Sequence, residues 1–235
     1  MQKSPSRVDR ASKAVQDKIN SIIPDKVHDV ITATIKQMTR AVLYGAEFMT
    51  SMPNQNLSFE GREKLVRDRI EFYKKAGAAE GGITGAGGFW LALAEFPVLL
   101  GIKMKLLFDI ASIYGYSVDD YRERLFIMHV FQLAFSSQKN RQLVYEKIVD
   151  WDLKSELLPD DIHKFDWLTF QQEYRDYIDL AKMAQLIPGI GAAVGLIVNY
   201  RLLNHLGKTA MNAYRMRYQE SEIRKLNTTQ HYQIT

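Results

Sequence analysis

The chain has 235 residues and a mass of 27.1 kDa, enough for one large domain with a substantial core. Apolar residues at 46% and charged residues at 25% exclude a wholly disordered chain. The absence of cysteine excludes disulfides, thiol nucleophiles and Cys-based zinc or iron–sulfur sites. The net charge of +4 is unevenly spread: residues 1–78 carry +5, 79–198 carry −5 and 199–235 carry +4, so basic ends flank an acidic, apolar middle.

The first twenty residues hold five scattered basic side chains and no apolar run, which is not the pattern of a secretory signal. Residue 2 is Gln2, so no myristoylation motif opens the chain. Apolar residues then recur at spacings of three and four, first over 8–23 and, after Pro24 with Asp25 as cap, over 26–50. A polar loop at 51–56 leads to a highly charged helix from Ser58 to about Ala76, with an apolar face of Phe59, Leu65, Ile70, Phe72 and Tyr73. Residues 76–88 contain six glycines in thirteen positions and read as a helix–helix junction.

An apolar helix follows over 89–114, with a break near Pro97 and a stop at Gly115. Ser117, followed by two acids, caps the next helix, over 118–135. Helices over 141–158 and 165–186 are separated by a turn and cap at Pro159, Asp160 and Asp161. Pro188 and Gly189 precede a helix over 190–206, which Gly207 breaks before a last one over 208–226. Residues 227–235 read as a frayed tail. No segment alternates with period two, so the fold class is all-α: a single multi-helix domain around two Gly-rich apolar helical segments. Three regions are expected: amphipathic helices over 1–57, the main helical domain over 58–226 and the tail over 227–235. The core is expected in the segments 89–114 and 190–206, surrounded by amphipathic helices.

Two glycine-rich segments carry the most information. The first runs from Gly81 through Gly85, Gly88 and Ala94-Glu95-Phe96-Pro97 to Lys105, Tyr114-Gly115 and Glu123. The second holds Pro188, Gly191, Gly195 and Asn199-Tyr200-Arg201, then Gly207, Ala210 and Ala213-Tyr214-Arg215-Met216-Arg217. Over about residues 60–220 this ordered set resembles the EcsC family of bacterial proteins, named for a gene beside an ABC-transporter pair. Lys105 departs from the arginine often found there, which argues against a bidentate anion clamp. The resemblance implies no established reaction; it implies an accessory role at the membrane, near transport or protein export.

Membrane insertion is weighed on composition. Residues 183–200 contain no charge and reach the lower length limit for a span, but Gln185, Pro188, Asn199 and three glycines offset the apolar contribution. Gly191 with Gly195, and Gly81 with Gly85, form GxxxG pairs; together with Gly88 they suit close helix packing, in lipid or in a core.

Glu95 is the one candidate acid or base, since a carboxylate in an apolar helix has a raised pKa unless a cation meets it. The alternative is a buried ion pair with Lys103, Lys105 or a basic residue of the 199–201 stretch. The candidate binding residues are Glu95, Lys105, Asn199, Arg201, Arg215 and Arg217. No zincin or di-iron motif occurs, and the carboxylates around His163 are explained by a capped helix start, so neither metal nor cofactor is expected. The carboxy-terminal basic residues, accompanied by Tyr200, Tyr214 and Tyr218, suit anionic lipid headgroups better than nucleic acid.

Three readings follow: a non-enzymatic, cytoplasmic accessory protein peripheral to the inner face of the cell membrane; an enzyme acting on a lipid or membrane-derived substrate through Glu95; and a soluble helical interaction module. The first expects anionic lipid and a transporter or export protein as partners.

Overall fold

A computed structural model of the chain describes residues 25–44, 57–86, 96–164, 166 and 192–234. Among these residues the fold is all-helical: α1 (Asp25–Tyr44), α2 (Phe59–Ala86), α3 (Phe96–Tyr114), α4 (Tyr121–Phe135), α5 (Arg141–Ile148), α6 (Trp151–Glu156) and α7 (Ala192–Ile234), with a short 3-10 turn at Ile162–Lys164. The expected segments at 8–23 and 165–186 lie outside the described residues.

Helix α3 starts at Phe96 and buries Leu99, Leu100, Met104 and Leu106 to Ala111. Pro97 therefore falls in its first turn, where a missing backbone N–H costs nothing, and does not break a longer helix within the described residues. Gly115 ends α3 at a φ of 97°, a conformation that side chains resist, while its N–H and that of Tyr116 satisfy the carbonyls of Ser112 and Ala111. The Arg62 guanidinium fills the space where a Gly115 side chain would stand and donates to the Ile113 carbonyl at 2.8 Å.

Several expected boundaries move. The true cap of α4 is Asp120, whose carboxylate accepts the Arg122 N–H, so the helix starts at Tyr121; the Ser117 hydroxyl caps only the turn before it. Helix α4 is also central and not a surrounding amphipathic layer, since every residue from Leu125 to Gln132 is buried. At about 1.5–3 kcal/mol for each large apolar side chain, this helix and α3 carry much of the burial energy. The expected helix over 141–158 is two helices, because Asp150 adopts a left-handed φ of 51° and turns the chain between α5 and α6.

The glycine-rich stretch after Ala76 is not a junction up to Ala86: α2 continues through Gly77, Gly81 and Gly85. Likewise Gly207 does not break α7, which runs on through the expected tail to Ile234. Tertiary packing explains why these glycines are tolerated. A Cβ at Gly207 would stand 2.6 Å from Ile70, and one at Gly77 would stand 2.4 Å from Leu203. Glu63 meets Arg215, Ile70 meets Gly207, and Gly77 meets Leu203, so α2 and α7 run antiparallel in close approach. The buried face of α2 is Val66, Ile70, Tyr73 and Gly77, while Leu65 and Phe72 are exposed, contrary to the expected face.

Candidate functional site

The α2–α7 seam and the adjoining α3 and α4 faces carry buried charge. A carboxylate on an apolar stripe must find donors or take up a proton. Glu63 sits four residues after Phe59 and three before Val66, which turns it inward. Tyr114 donates to its Oε1 at 2.6 Å, and Arg215 grips it bidentately at 3.0 and 2.6 Å. Arg67 adds a 3.2 Å contact from solvent. Burial pushes the Glu63 carboxyl up, but the hydrogen bonds and charge of Arg215, with Tyr114 and Arg67, outweigh that and hold it below its ordinary value.

A second set is sealed deeper. Glu123, with 4% of its side chain exposed, accepts from Tyr214 at 2.6 Å and from Arg217 Nη1 at 2.5 Å. Arg217 Nε reaches Asp152 at 2.6 Å, and Arg224 completes the chain to Asp152 at 2.8 Å. The Arg217 guanidinium lies 3.8 Å from the Tyr116 ring centroid and 4.8 Å from that of Phe126, a cation–π sandwich in a dry setting. Burial works against the Arg217 charge, yet Glu123 prevails and raises its pKa. Burial pushes Glu123 above the ordinary carboxylate value, with Arg217 and Tyr214 opposing. Burial also pushes the Tyr116 hydroxyl up to about 12 and the Tyr214 hydroxyl well above 10, so both phenols stay protonated and Tyr214 is a fixed donor to Glu123.

A third carboxylate, Asp109 of α3, accepts from Tyr73 at 2.9 Å and Lys105 at 2.8 Å, with Arg69 at 3.6 Å. The Lys103 ammonium, only 1% exposed, donates to the Leu99 carbonyl at 3.2 Å and to Asn199 Oδ1 at 3.3 Å, joining α3 to α7.

The structure therefore distributes the expected binding residues instead of gathering them. Asn199 is buried against Lys103, Lys105 pairs with Asp109, and Arg215 and Arg217 serve separate carboxylates. Arg217 is not the solvent-facing headgroup contact that its sequence setting suggests, because its guanidinium is enclosed by Glu123, Asp152 and two rings. Arg201 is exposed on α7. Glu95, Gly88 and Gly191 lie outside the described residues; Gly81 and Gly85 lie within α2, and Gly195 within α7. At His163, Asp161 caps the backbone and Asp160 pairs with Arg122 at 2.7 Å.

The sequence reading passes over Glu63 and Asp109, takes Tyr114 only as part of a motif, and sets Tyr214 beside the basic residues at a headgroup surface, whereas the Tyr214 ring is buried and its hydroxyl donates to Glu123. Each falls on an apolar helical stripe, and that signal was readable; the identity of its partner on another helix was not.

A cleft of about 470 Å³ opens between α4, α5 and α7. Leu133, Ile148, Ala213 and Met216 supply its apolar floor, and Arg141 and Asn212 stand at its polar margin. His205 Nε2 lies 3.1 Å from the Ala134 carbonyl, which ties this wall of α7 to α4.

Residues 1–218 match the EcsC protein family. The chain is 46% identical to Protein EcsC of Bacillus subtilis (strain 168) over 213 residues, covering 90% of this chain and 87% of that protein. It is 29% identical to the uncharacterized protein YdbA of the same organism over 142 residues, covering 60% of this chain and 52% of the other. No solved structure matches it significantly.

Proposed function

The chain belongs to the EcsC family, and from that premise we propose that it is a non-enzymatic accessory protein that docks on the anionic inner face of the cell membrane and serves a transport or export machine there. The observation that carries this reading is on α7. Arg201 and Lys208 are exposed, stand seven residues apart on one helical face, and have no carboxylate partner among the described residues. Tyr200 beside them is 40% exposed, with the Lys74 ammonium 4.3 Å from its ring centroid. Cations with an amphipathic ring suit a lipid–water interface. Among the described residues no helix is long and apolar enough to cross a membrane, so the reading is one of surface docking. Arg215 and Arg217 are committed to internal pairs, so docking rests on Arg201 and Lys208.

The three buried carboxylates, Glu63, Asp109 and Glu123, are each held by a tyrosine hydroxyl and a cation. That arrangement fixes helix positions, which favours an accessory role over acid–base chemistry at these groups. The test is co-flotation of the full chain with vesicles, with and without phosphatidylglycerol, across a salt series. Salt-sensitive binding to anionic vesicles is expected. At about 1 kcal/mol per basic residue near the surface, Arg201→Ala with Lys208→Ala should weaken it by about thirtyfold. Binding that ignores salt and lipid charge, or survives the double substitution, would remove this reading.

A further inference from the structure

The cleft between α4, α5 and α7 is unused by the ion pairs and by the docking face. Its volume of about 470 Å³ falls within the range of small-molecule sites, about 300–1,000 Å³. Its floor is apolar, and no carboxylate lines it. The side chains of Arg141 and Asn212, both exposed at its margin, have no hydrogen-bond or ion-pair partner among the described residues. Their neighbours are committed: Gln142 donates to Glu146 at 3.0 Å, the Tyr145 hydroxyl rests on the Met216 sulfur at 3.5 Å, and the Thr209 hydroxyl donates to the His205 carbonyl.

Arg141 is the first residue of the eight-residue α5. The N-terminal end of α5 is already served by Ser137, whose hydroxyl accepts the Asn140 N–H at 3.3 Å and whose carbonyl accepts the Arg141 N–H at 3.0 Å. The unmet group at this margin is therefore the Arg141 guanidinium, which no carboxylate among the described residues neutralises. An anion answers that charge, and the apolar floor accounts for the body attached to it.

We propose that this cleft binds a monomeric single-chain anionic amphiphile, its phosphate or carboxylate held by Arg141 and Asn212 and its chain lying against Leu133, Ile148 and Met216. Neither Arg201 nor Lys208 lines the cleft, but His205 and Asn212 share their face of α7, so the site adjoins the docking face and is told apart from it by a soluble ligand that forms no bilayer.

The experiment is calorimetric titration of the full chain with octyl phosphate below its micellar range, alongside octanol, inorganic phosphate and octyltrimethylammonium. Saturable one-to-one binding of octyl phosphate, at least tenfold tighter than the other three, is expected. Arg141→Gln should weaken it by tenfold or more, as loss of a charge-assisted hydrogen bond predicts. Thr209→Phe, which fills the cleft from its α7 wall, should abolish it. Circular dichroism checks that both variants keep their helices, and Asn212→Ala gives an independent margin variant with an expected severalfold loss. Equal binding of octanol or of inorganic phosphate, or an unchanged constant in Arg141→Gln and Asn212→Ala, would overturn the proposal. So would a result in which Arg141→Gln weakens phosphatidylglycerol vesicle flotation but not octyl phosphate binding, since the anion would then belong to a bilayer. Failure of wild-type flotation with octyl phosphate binding intact would remove the docking reading alone.

Discussion

The Glu63 and Glu123 clusters are built from the same parts and titrate in opposite directions. Each carboxylate accepts a hydrogen bond from a tyrosine and an arginine of the α7 pair Arg215 and Arg217. At Glu63 the arginine side chain is 38% exposed and a second cation arrives from solvent; the carboxyl is held below its ordinary value of 4.5. At Glu123 the arginine is 8% exposed and aromatic rings close the site; the carboxyl is pushed up. Glu63 accepts four hydrogen bonds and Glu123 two, and Glu123 is the more deeply enclosed, so fewer donors and heavier desolvation together reverse the sign. Glu63 supports the fold near neutrality at small desolvation cost, whereas the Glu123–Arg217 pair specifies position in a place where either partner alone is intolerable.

The largest effect should come from breaking the sealed pair. Arg217→Ala leaves Glu123 buried without its cation and is expected to cost about 3–5 kcal/mol in denaturant unfolding. Glu123→Leu combined with Arg217→Met should recover most of that loss; a double variant as unstable as the single one would contradict the desolvation argument.

Glu63→Gln is the matching test at the open cluster, with an expected cost of about 1.5–3 kcal/mol at neutral pH. Its pH signature distinguishes it. The folded value of Glu63 lies below the unfolded 4.5, so its contribution is complete above 4.5 and is lost as pH falls through the folded value. Stability of Glu63→Gln should therefore change less than wild type on acidification below 4.5. Glu123 has the opposite sign: its folded value is raised, so its own contribution is greatest below 4.5 and declines as pH rises through the folded value. A variant as acid-sensitive as wild type would place the acid lability elsewhere.

Gly207→Ala sets a Cβ 2.6 Å from Ile70 Cγ1, with two more Ile70 atoms at 2.9 and 3.1 Å. Overpacking should outweigh the helix-propensity gain, for a net cost of about 1–2 kcal/mol. Gly77→Ala meets one Leu203 methyl at the end of a flexible side chain and should be milder. Equal thermal unfolding of the two variants would argue against a tight α2–α7 seam at Ile70. The smallest effect is expected at Arg67→Ala, whose side chain is 57% exposed: under about 1 kcal/mol by denaturant unfolding, because Arg215 still holds Glu63.

The helical class, the inward face of α1 with Ile35, Met38 and Val42, the apolar character of α3 and its stop at Gly115 were all legible in periodicity and glycine placement. The family resemblance was also legible, from ordered glycine, proline and Asn199-Tyr200-Arg201 motifs, and it holds over residues 1–218. Glycine was where local reasoning failed. Gly115, Gly77 and Gly207 look alike in sequence, yet only Gly115 has a positive φ and ends its helix, while the others lie inside helices that approach closely.

The site shows the same division. That Arg215 and Arg217 cluster with tyrosines near the carboxy terminus is written in the chain, and a basic cluster invites a polyanionic partner. Which carboxylate each arginine meets depends on Glu63 and Glu123, 152 and 94 residues away. Local sterics and ordered motifs write the helical class, the stop of α3 at Gly115 and the family into the chain, whereas the expected stops at Ala76, Gly207 and 226 are overruled. Tertiary structure alone decided which charges face water, which glycines pack and where a cleft remains. Those depend on the dielectric and the free volume that one helix creates for another.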